Sequence, residues 1–161
     1  MTVNDILILV RQRIGDMNKL TFSDAELLYC LNNAMDELCI ELADQLSPEI
    51  LKELKVTDLE TRSFKLPDDF IAWQGQYPLN YVTDTDNKTN VTLTGPNWDG
   101  DTPTLKYFAL RTHFTDLSQT VPFRTLTQQQ RLMRLCVQQI KGGTNNESQG
   151  ASKSGSGTGQ A

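Results

Sequence analysis

The sequence has little of what most catalytic sites are built from. Its 161 residues include one histidine, His113, and three cysteines. A single histidine cannot form a histidine-rich metal site, and an odd cysteine count speaks against a disulfide framework. Phosphate-binding glycine loops, dinucleotide fingerprints, nucleophile elbows and Cys-x-x-Cys pairs are missing from the sequence. We therefore predict a protein that is not an enzyme and has no catalytic residue, metal ligand or cofactor.

Long apolar runs are also missing. The longest, ILILV at residues 6–10, is far shorter than the roughly 18 residues of a membrane span. It is also too short for the core of a signal peptide and has no basic cluster before it. We expect a protein that does not enter a membrane and that works in a reducing compartment.

Positive charge is scarce overall but unevenly distributed. The net charge is −5 and the isoelectric point is near 4.8, which disfavours a general nucleic-acid binder. Residues 16–60 hold eleven acidic and three basic side chains, a net charge of −8. Residues 104–141 hold one acidic and six basic side chains, a net charge of +5. Such opposed patches can pair within one chain or head-to-tail between copies.

Apolar periodicity and caps predict helices over residues 3–15, 24–46, 48–55 and 126–141. Thr2 and Ser23 precede the first two as N-caps, each with an acidic residue three positions on, as in a capping box. Ser47 and Pro48 are typical of a further helix start. Gly142 and Gly143 are expected to end the last helix.

The segment at about 56–111 predicts a small antiparallel sheet inserted between the helices. Alternating residues favour strands at 61–66, 76–83, 90–94 and 104–111, and residues 84–88 a hairpin loop. Residues 67–73 are consistent with one helical turn. The predicted fold is α+β: mainly a helical bundle of three longer helices and one short, with this sheet and an extended C-terminal tail.

That tail, residues 142–161, holds six of the ten glycines and no apolar side chain larger than alanine. It cannot bury enough surface to offset the entropy of ordering it. We expect a flexible or partner-ordered tail after a domain spanning residues 1–141.

Aromatic side chains are concentrated in the middle segment, where ordinary core packing explains most of them. Trp98 lies in a turn-like cluster, GPNWDGD at residues 95–101, and is harder to bury in a monomer. Tryptophans at surfaces often anchor protein interfaces, so packing and interface roles stay equally open for Trp98.

Paired carboxylates leave an enzymatic alternative. Glu37 and Glu41 lie one helical turn apart, and Asp68 is followed by Asp69, so a glycoside hydrolase acting on cell walls is the alternative hypothesis. A solvated acidic helix face and a helix start after Pro67 explain the two pairs more simply.

The order of several motifs resembles the head-to-tail connector proteins of tailed bacteriophages, also called adaptor or head-completion proteins. The resemblance rests on RQRIGD at 11–16, FSDAELL at 22–28 and LNNA at 31–34, and more weakly on FKLPDDF at 64–70. It covers the first 46 residues or so, whereas residues 74–141 agree only in general layout.

The resemblance implies a structural virion protein that forms a ring, commonly of twelve copies, under the portal protein. Such a ring extends the DNA channel without sequence-specific binding and attaches a tail or nozzle protein. Assembly would take place in the host bacterial cytoplasm, and the mature location would be the head–tail interface of the virion. Alternatives within this reading are a stopper, a tail terminator or a muramidase-like cell-wall hydrolase carried in the virion.

Charge, exposure and the tail together suggest interface residues for contacts with neighbouring copies or other virion proteins. These are Asp36, Glu37, Glu41, Asp44, Trp73, Trp98, Arg124, Arg131, Arg134, Lys141, Gly143, Thr144, Asn145 and Asn146.

Overall fold

The structure, a computed structural model, describes the backbone of residues 1–95 and 102–155 and the side chains of residues 1–95 and 102–142. Its helices are α1 (Val3–Ile14), α2 (Asp24–Asp44) and α3 (Leu126–Gly155). Its strands are β1 (Leu51–Lys55), β2 (Ser63–Lys65), β3 (Phe70–Trp73), β4 (Leu79–Thr83), β5 (Thr89–Leu93) and β6 (Thr104–Ala109). The predicted α+β class is confirmed, but a mainly helical bundle is not.

The chain divides into two compact units. One, here called the helical unit, consists of Met1–Leu38 and Thr112–Ala161; the other, the β unit, is Cys39–Arg111. The six strands lie between α2 and α3, from Leu51 to Ala109, whereas the expected β segment was about 56–111. Helix α2 begins in the helical unit, and its last residues, from Cys39 on, belong to the β unit.

Helix α1 begins and ends where its sequence predicts. The Thr2 hydroxyl accepts from the Asp5 amide at 3.2 Å, and the Asp5 carboxylate accepts from the Thr2 amide at 2.8 Å, which completes the capping box. Gly15 ends the helix in the left-handed region at φ 74°, a conformation that glycine adopts without steric cost. Val3, Ile6, Leu7 and Val10 are buried, so the predicted apolar stripe is the packed one.

The core of the helical unit is mostly aliphatic. Helix α2 contributes Leu27, Leu31, Ala34 and Met35, each with no exposed surface. Helix α3 packs on α1 and buries Leu132, Met133, Leu135, Cys136 and Ile140. These are the apolar positions that a 3.6-residue period places on one face of each helix.

The predicted helix at 48–55 is wrong. Only a single 3-10 turn, Pro48–Ile50, follows the Ser47 cap, and the chain then becomes β1. Strand β1 pairs antiparallel with β6 from Leu51 opposite Phe108 to Lys55 opposite Thr104. A cap and a leucine spacing compatible with a helix are weak local preferences, and pairing with a distant strand overrides them.

The helical turn predicted for residues 67–73 is also replaced by a strand. After a turn in which the Phe70 amide donates to the Pro67 carbonyl, β3 pairs with β6. The β insertion therefore contains two three-stranded antiparallel sheets among the described residues, in the orders β1–β6–β3 and β2–β5–β4, rather than one sheet. Val56, Leu93 and Leu105 form a buried cluster on which side chains from both sheets pack.

Helix α3 is longer than predicted. Thr125 caps it through a hydroxyl that accepts from the Gln128 amide at 3.2 Å, but the backbone stays helical past Gly142 and Gly143 to Gly155. Glycine costs a helix about 1 kcal/mol relative to alanine and does not forbid it, so a Gly-Gly pair is a weak stop signal. The expected tail over residues 142–161 is thus helical as far as residue 155.

Candidate functional site

Residues of two motifs from the sequence analysis, RQRIGD and FSDAELL, meet in the turn between α1 and α2. The guanidinium of Arg11 is 3% exposed and donates to the Asp16 carboxylate at 2.9 Å, to the Phe22 carbonyl at 2.9 Å and to the Asp24 carboxylate at 2.8 Å. A buried guanidinium is stable only when its donors are paired, and these partners supply that pairing. Arg11 thus ties the end of α1 to the start of α2.

Asp16 organises the same turn through its two carboxylate oxygens. They accept from the backbone amides of Leu20, Thr21 and Phe22 at 2.9–3.0 Å, in addition to the Arg11 bond. The amide bonds, led by that of Thr21, and the Arg11 charge lower the pKa of Asp16 below its ordinary value. The Arg11 and Lys19 hydrogen bonds likewise lower the pKa of Asp24.

We name this set of contacts around Arg11, Asp16, Phe22 and Asp24 the turn lock. It gives physical meaning to the spacing of the two motifs, since the arginine and aspartate of RQRIGD bond to one another and to the start of FSDAELL. Beside it, Ser23 and Glu26 form the predicted capping box at 2.8 and 3.1 Å. The turn lock is a structural device that orients two helices, and Arg13 of the same motif remains exposed.

Part of the predicted acidic face of α2 is engaged in contacts within the chain. The Asp36 carboxylate contacts His113 Nε2 at 2.9 Å, and the Glu37 carboxylate accepts from the Gln139 side chain of α3 at 2.7 Å. Glu41 is half-buried and is engaged as well. Asp44, the last residue of α2, is exposed.

The predicted basic residues lie before and along α3. Arg124, Arg134 and Lys141 are exposed, whereas Arg131 is half-buried and has a partner of its own. Three of these four side chains are therefore available at the surface of the helical unit. Gly143, Thr144, Asn145 and Asn146 continue the α3 backbone.

Trp73 lies at the centre of an aromatic cluster in the β unit. Its ring centroid is 4.8 Å from that of Phe70, 5.8 Å from Tyr77, 6.0 Å from Phe64 and 6.2 Å from Tyr107. These are offset and edge-on arrangements that aromatic quadrupoles favour. The ring is half-buried, so packing accounts for Trp73 first. Trp98, its counterpart in the sequence prediction, lies outside the described residues.

Of the adjacent pair Asp68 and Asp69 in the enzymatic alternative, Asp68 is exposed and the Asp69 side chain has two partners. It accepts from the Tyr107 hydroxyl at 3.1 Å and pairs with Lys52. Burial, followed by the charge and hydrogen bond of Asp69, raises the pKa of Tyr107 to about 12. These contacts give Asp69 a role in holding β1, β3 and β6 together.

The cysteine side chains have the character of packing residues. Cys39 and Cys136 are buried, and burial raises the pKa of the Cys136 thiol to about 12, which keeps it protonated and unreactive. Burial also raises the pKa of Cys30. Over the part of the chain that is described, no group of three or more His, Cys, Asp or Glu side chains is placed to hold a metal ion.

One surface feature was not found from the sequence. A groove of about 300 Å³ lies along α1 and α3, lined by apolar Met1, Leu9, Leu126 and Met133 and by polar side chains at its edge. The signal was present in the run ILILV, because a run of five apolar residues on a helix must place some of them on the outer face. Ile8 and Leu9 are the two that point out, at 40% and 37% exposure.

Two comparisons with known proteins bear on kinship, and the described helices bear on membranes. Neither a scan against protein-family models nor a search of curated proteins finds a match for this chain. Among the described helices, none has the length together with the apolar character that a membrane span requires.

Proposed function

We propose that this protein is a structural component of a tailed-bacteriophage virion, a head-to-tail adaptor. Copies form a ring under the portal, extend the DNA channel and offer the surface to which the tail attaches. The observation that carries the proposal is the turn lock. Residues of two of the motifs on which the resemblance rests, RQRIGD and FSDAELL, are bonded to one another, so these two motifs form one structural unit.

Surface charge supports contacts between copies in such a ring. Arg124, Arg134 and Lys141 are exposed on the helical unit, and Asp44 is exposed at the end of α2. Contact between unlike surfaces of identical chains is heterologous, and it generates a closed ring when the rotation between copies closes. An acidic chain also suits a DNA channel, because phosphate binding depends on lysine and arginine.

The proposal is tested by assembly on a portal. Purified chain is mixed with the portal protein of the same phage and imaged by electron microscopy, where a ring of twelve copies under the portal is expected. The double variant Arg134→Glu, Lys141→Glu should prevent ring closure, whereas Lys88→Glu, a charge reversal in the β hairpin, should not. A chain that binds neither portal nor tail protein under any assembly condition would contradict the proposal.

The C-terminal residues provide a second test of the same proposal. Deleting residues 143–161 removes the end of α3 but none of the described buried core. We expect weaker attachment to the portal with the thermal unfolding of the remaining chain unchanged. Attachment equal to that of the full chain would exclude a docking role for this segment.

A further inference from the structure

The two sheets of the β unit have four edge strands, and three of them are protected. Strand β1, LKELK, carries three charged side chains; β2 has only three residues; β3 has four residues and a register shift between Phe70 and Ala72. Charge, shortness and bulges are the devices by which proteins prevent an edge from pairing with another chain.

Strand β4 has none of these protections. It is five residues long, has the sequence LNYVT, pairs in regular register with β5 and contains no charged residue. Tyrosine, valine and threonine favour extended backbone. Tyr81 and Val82 are 52% and 62% exposed, respectively, so apolar surface accompanies the open edge.

The hydrogen-bonding pattern identifies which backbone groups of β4 point outward. The Thr94 amide donates to the Pro78 carbonyl at 2.8 Å and the Asp84 amide donates to the Lys88 carbonyl at 3.0 Å. Bonded and non-bonded pairs alternate in an antiparallel ladder, so even-numbered residues between these two positions bond to β5. The N–H and C=O groups of Leu79, Tyr81 and Thr83 therefore point away from the sheet, and within the described ranges no partner is found for them.

We propose that β4 is an association edge and that its occupant is β4 of a second copy of this chain, paired antiparallel about a two-fold axis at Tyr81. In that register Leu79 lies opposite Thr83 of the second copy, and Tyr81 lies opposite its own equivalent. The three outward residues then form three hydrogen-bonded pairs, each with two bonds. The β2–β5–β4 sheet of one copy and that of the other then form a single six-stranded sheet, β2–β5–β4–β4–β5–β2.

A second copy fits this edge because nothing in the strand opposes self-pairing. Like charges that face each other across two strands destabilise a pair, and LNYVT offers none. The pairing also covers part of Val82, which is largely exposed in an isolated chain. A two-fold contact through β4 uses a different surface from the head-to-tail contacts of the proposed ring, so it does not depend on the proposed function.

Amide hydrogen exchange by NMR, together with sedimentation velocity over a range of protein concentration, tests the pairing on the full chain. In a dimer, exchange of the Leu79, Tyr81 and Thr83 amides should slow as concentration rises. The Asn80 and Val82 amides should be protected throughout, because β5 binds them. A chain that stays monomeric with fast exchange at the three outward amides overturns the proposal, as does protection that appears only when a different protein is added.

Thr83→Pro provides the matching variant. It removes an outward N–H without removing a bond to β5, and the Thr83 side chain is exposed. Two of the six bonds between copies are lost, so we expect the dissociation constant to rise roughly tenfold to a hundredfold. Thr83→Ala, which keeps the N–H, should leave the constant within about twofold. Equal dissociation constants for the two variants would overturn the assignment of the edge. If the proline variant misfolds, Val82→Lys replaces it, because a charge on the edge strand should weaken pairing without removing a hydrogen bond to β5.

Discussion

The helical unit and the β unit are stabilised in different ways. The helical unit combines an aliphatic core with a buried arginine whose donors are paired across the turn between two helices. The β unit has a smaller fully buried cluster, Val56, Leu93 and Leu105, and surrounds it with half-buried aromatic rings. The helical unit therefore adds a buried ion pair to its apolar core, whereas the β unit adds contacts between aromatic rings.

The chain itself supplies separate probes for the two units. Both tryptophans, Trp73 and Trp98, lie within Cys39–Arg111, so tryptophan fluorescence follows the β unit. Circular dichroism at 222 nm is dominated by helices, most of whose length belongs to the helical unit. Unfolding followed by both probes therefore shows whether the two units respond separately.

Arg11→Met should have the largest effect. It leaves the Asp16 and Asp24 carboxylates and the Phe22 carbonyl without their shared donor, and breaking a buried pair costs about 3–5 kcal/mol of unfolding free energy. Urea unfolding by circular dichroism measures it. Arg13→Met, an exposed arginine two residues on, is the control and should cost less than about 0.5 kcal/mol. Equal effects of the two variants would show that the turn lock does not stabilise the helical unit.

Leu105→Ala and Leu132→Ala form a matched pair, one in each unit, since both leucines have no exposed surface. Each should cost about 2–5 kcal/mol by the lost apolar contact and the cavity. We expect Leu105→Ala to shift the fluorescence transition more than the dichroism transition, and Leu132→Ala to do the reverse. Identical shifts in both probes would show that the chain unfolds as one cooperative unit.

Acid should affect the helical unit more than the β unit. Hydrogen bonds lower the pKa values of Asp5, Asp16, Asp24 and Asp116 in the helical unit, and of Asp58 in the β unit. A carboxylate with a lowered folded-state pKa stabilises the fold above its unfolded-state pKa, near 4, and this contribution is lost as pH falls through the folded-state value.

Thermal melts from pH 5 to pH 2 measure this loss. The midpoint temperature followed by circular dichroism should fall further than the midpoint temperature followed by fluorescence. Asp16→Asn, whose side chain does not titrate, should be less stable at pH 5 and show a shallower fall than the wild type. A wild-type profile that is flat below pH 4 would contradict the assigned pKa directions.

Ser23→Ala should have the smallest effect of this set. The hydroxyl accepts from the Glu26 amide at the start of α2, and loss of such a cap costs about 1 kcal/mol. Chemical denaturation by dichroism measures it, with Ser23→Asp as the control because aspartate also caps. If the alanine and aspartate variants unfold at the same denaturant concentration, the capping box does not add to the stability that the neighbouring turn lock provides.

The parts of the fold that could be predicted from the sequence are those held by local interactions. The Thr2 and Ser23 capping boxes and the Gly15 terminus are confirmed because each is decided by residues three or four positions apart. The hairpin at 84–88 is confirmed for the same reason, since the Asp84 carboxylate accepts from the Asp86 and Lys88 amides. The helix at 48–55 failed because β1 exists only through pairing with β6, some fifty residues away.

The surface residues chosen from the sequence had a mixed outcome. Arg134 and Lys141, chosen for their charge, are exposed. Charge could not predict that Asp36 contacts His113 or that Glu37 contacts Gln139, because these partners are about 75 and 100 residues distant in the sequence. The groove beside Leu9 and the open edge of β4 likewise require neighbours in space. Their interface roles remain proposals.

By itself the sequence determined where the first two helices begin, where the first ends, and that a β-rich segment interrupts the helices, because caps, glycines and periodicity act over a few residues. Only the tertiary structure decided that Arg11 and Asp16 close one buried network, that the insertion forms two sheets, and that β4 is left with an unpaired edge. Those features depend on which distant strands and helices pack together. Bringing distant segments together costs loop-closure entropy, which only the contacts of the folded chain offset.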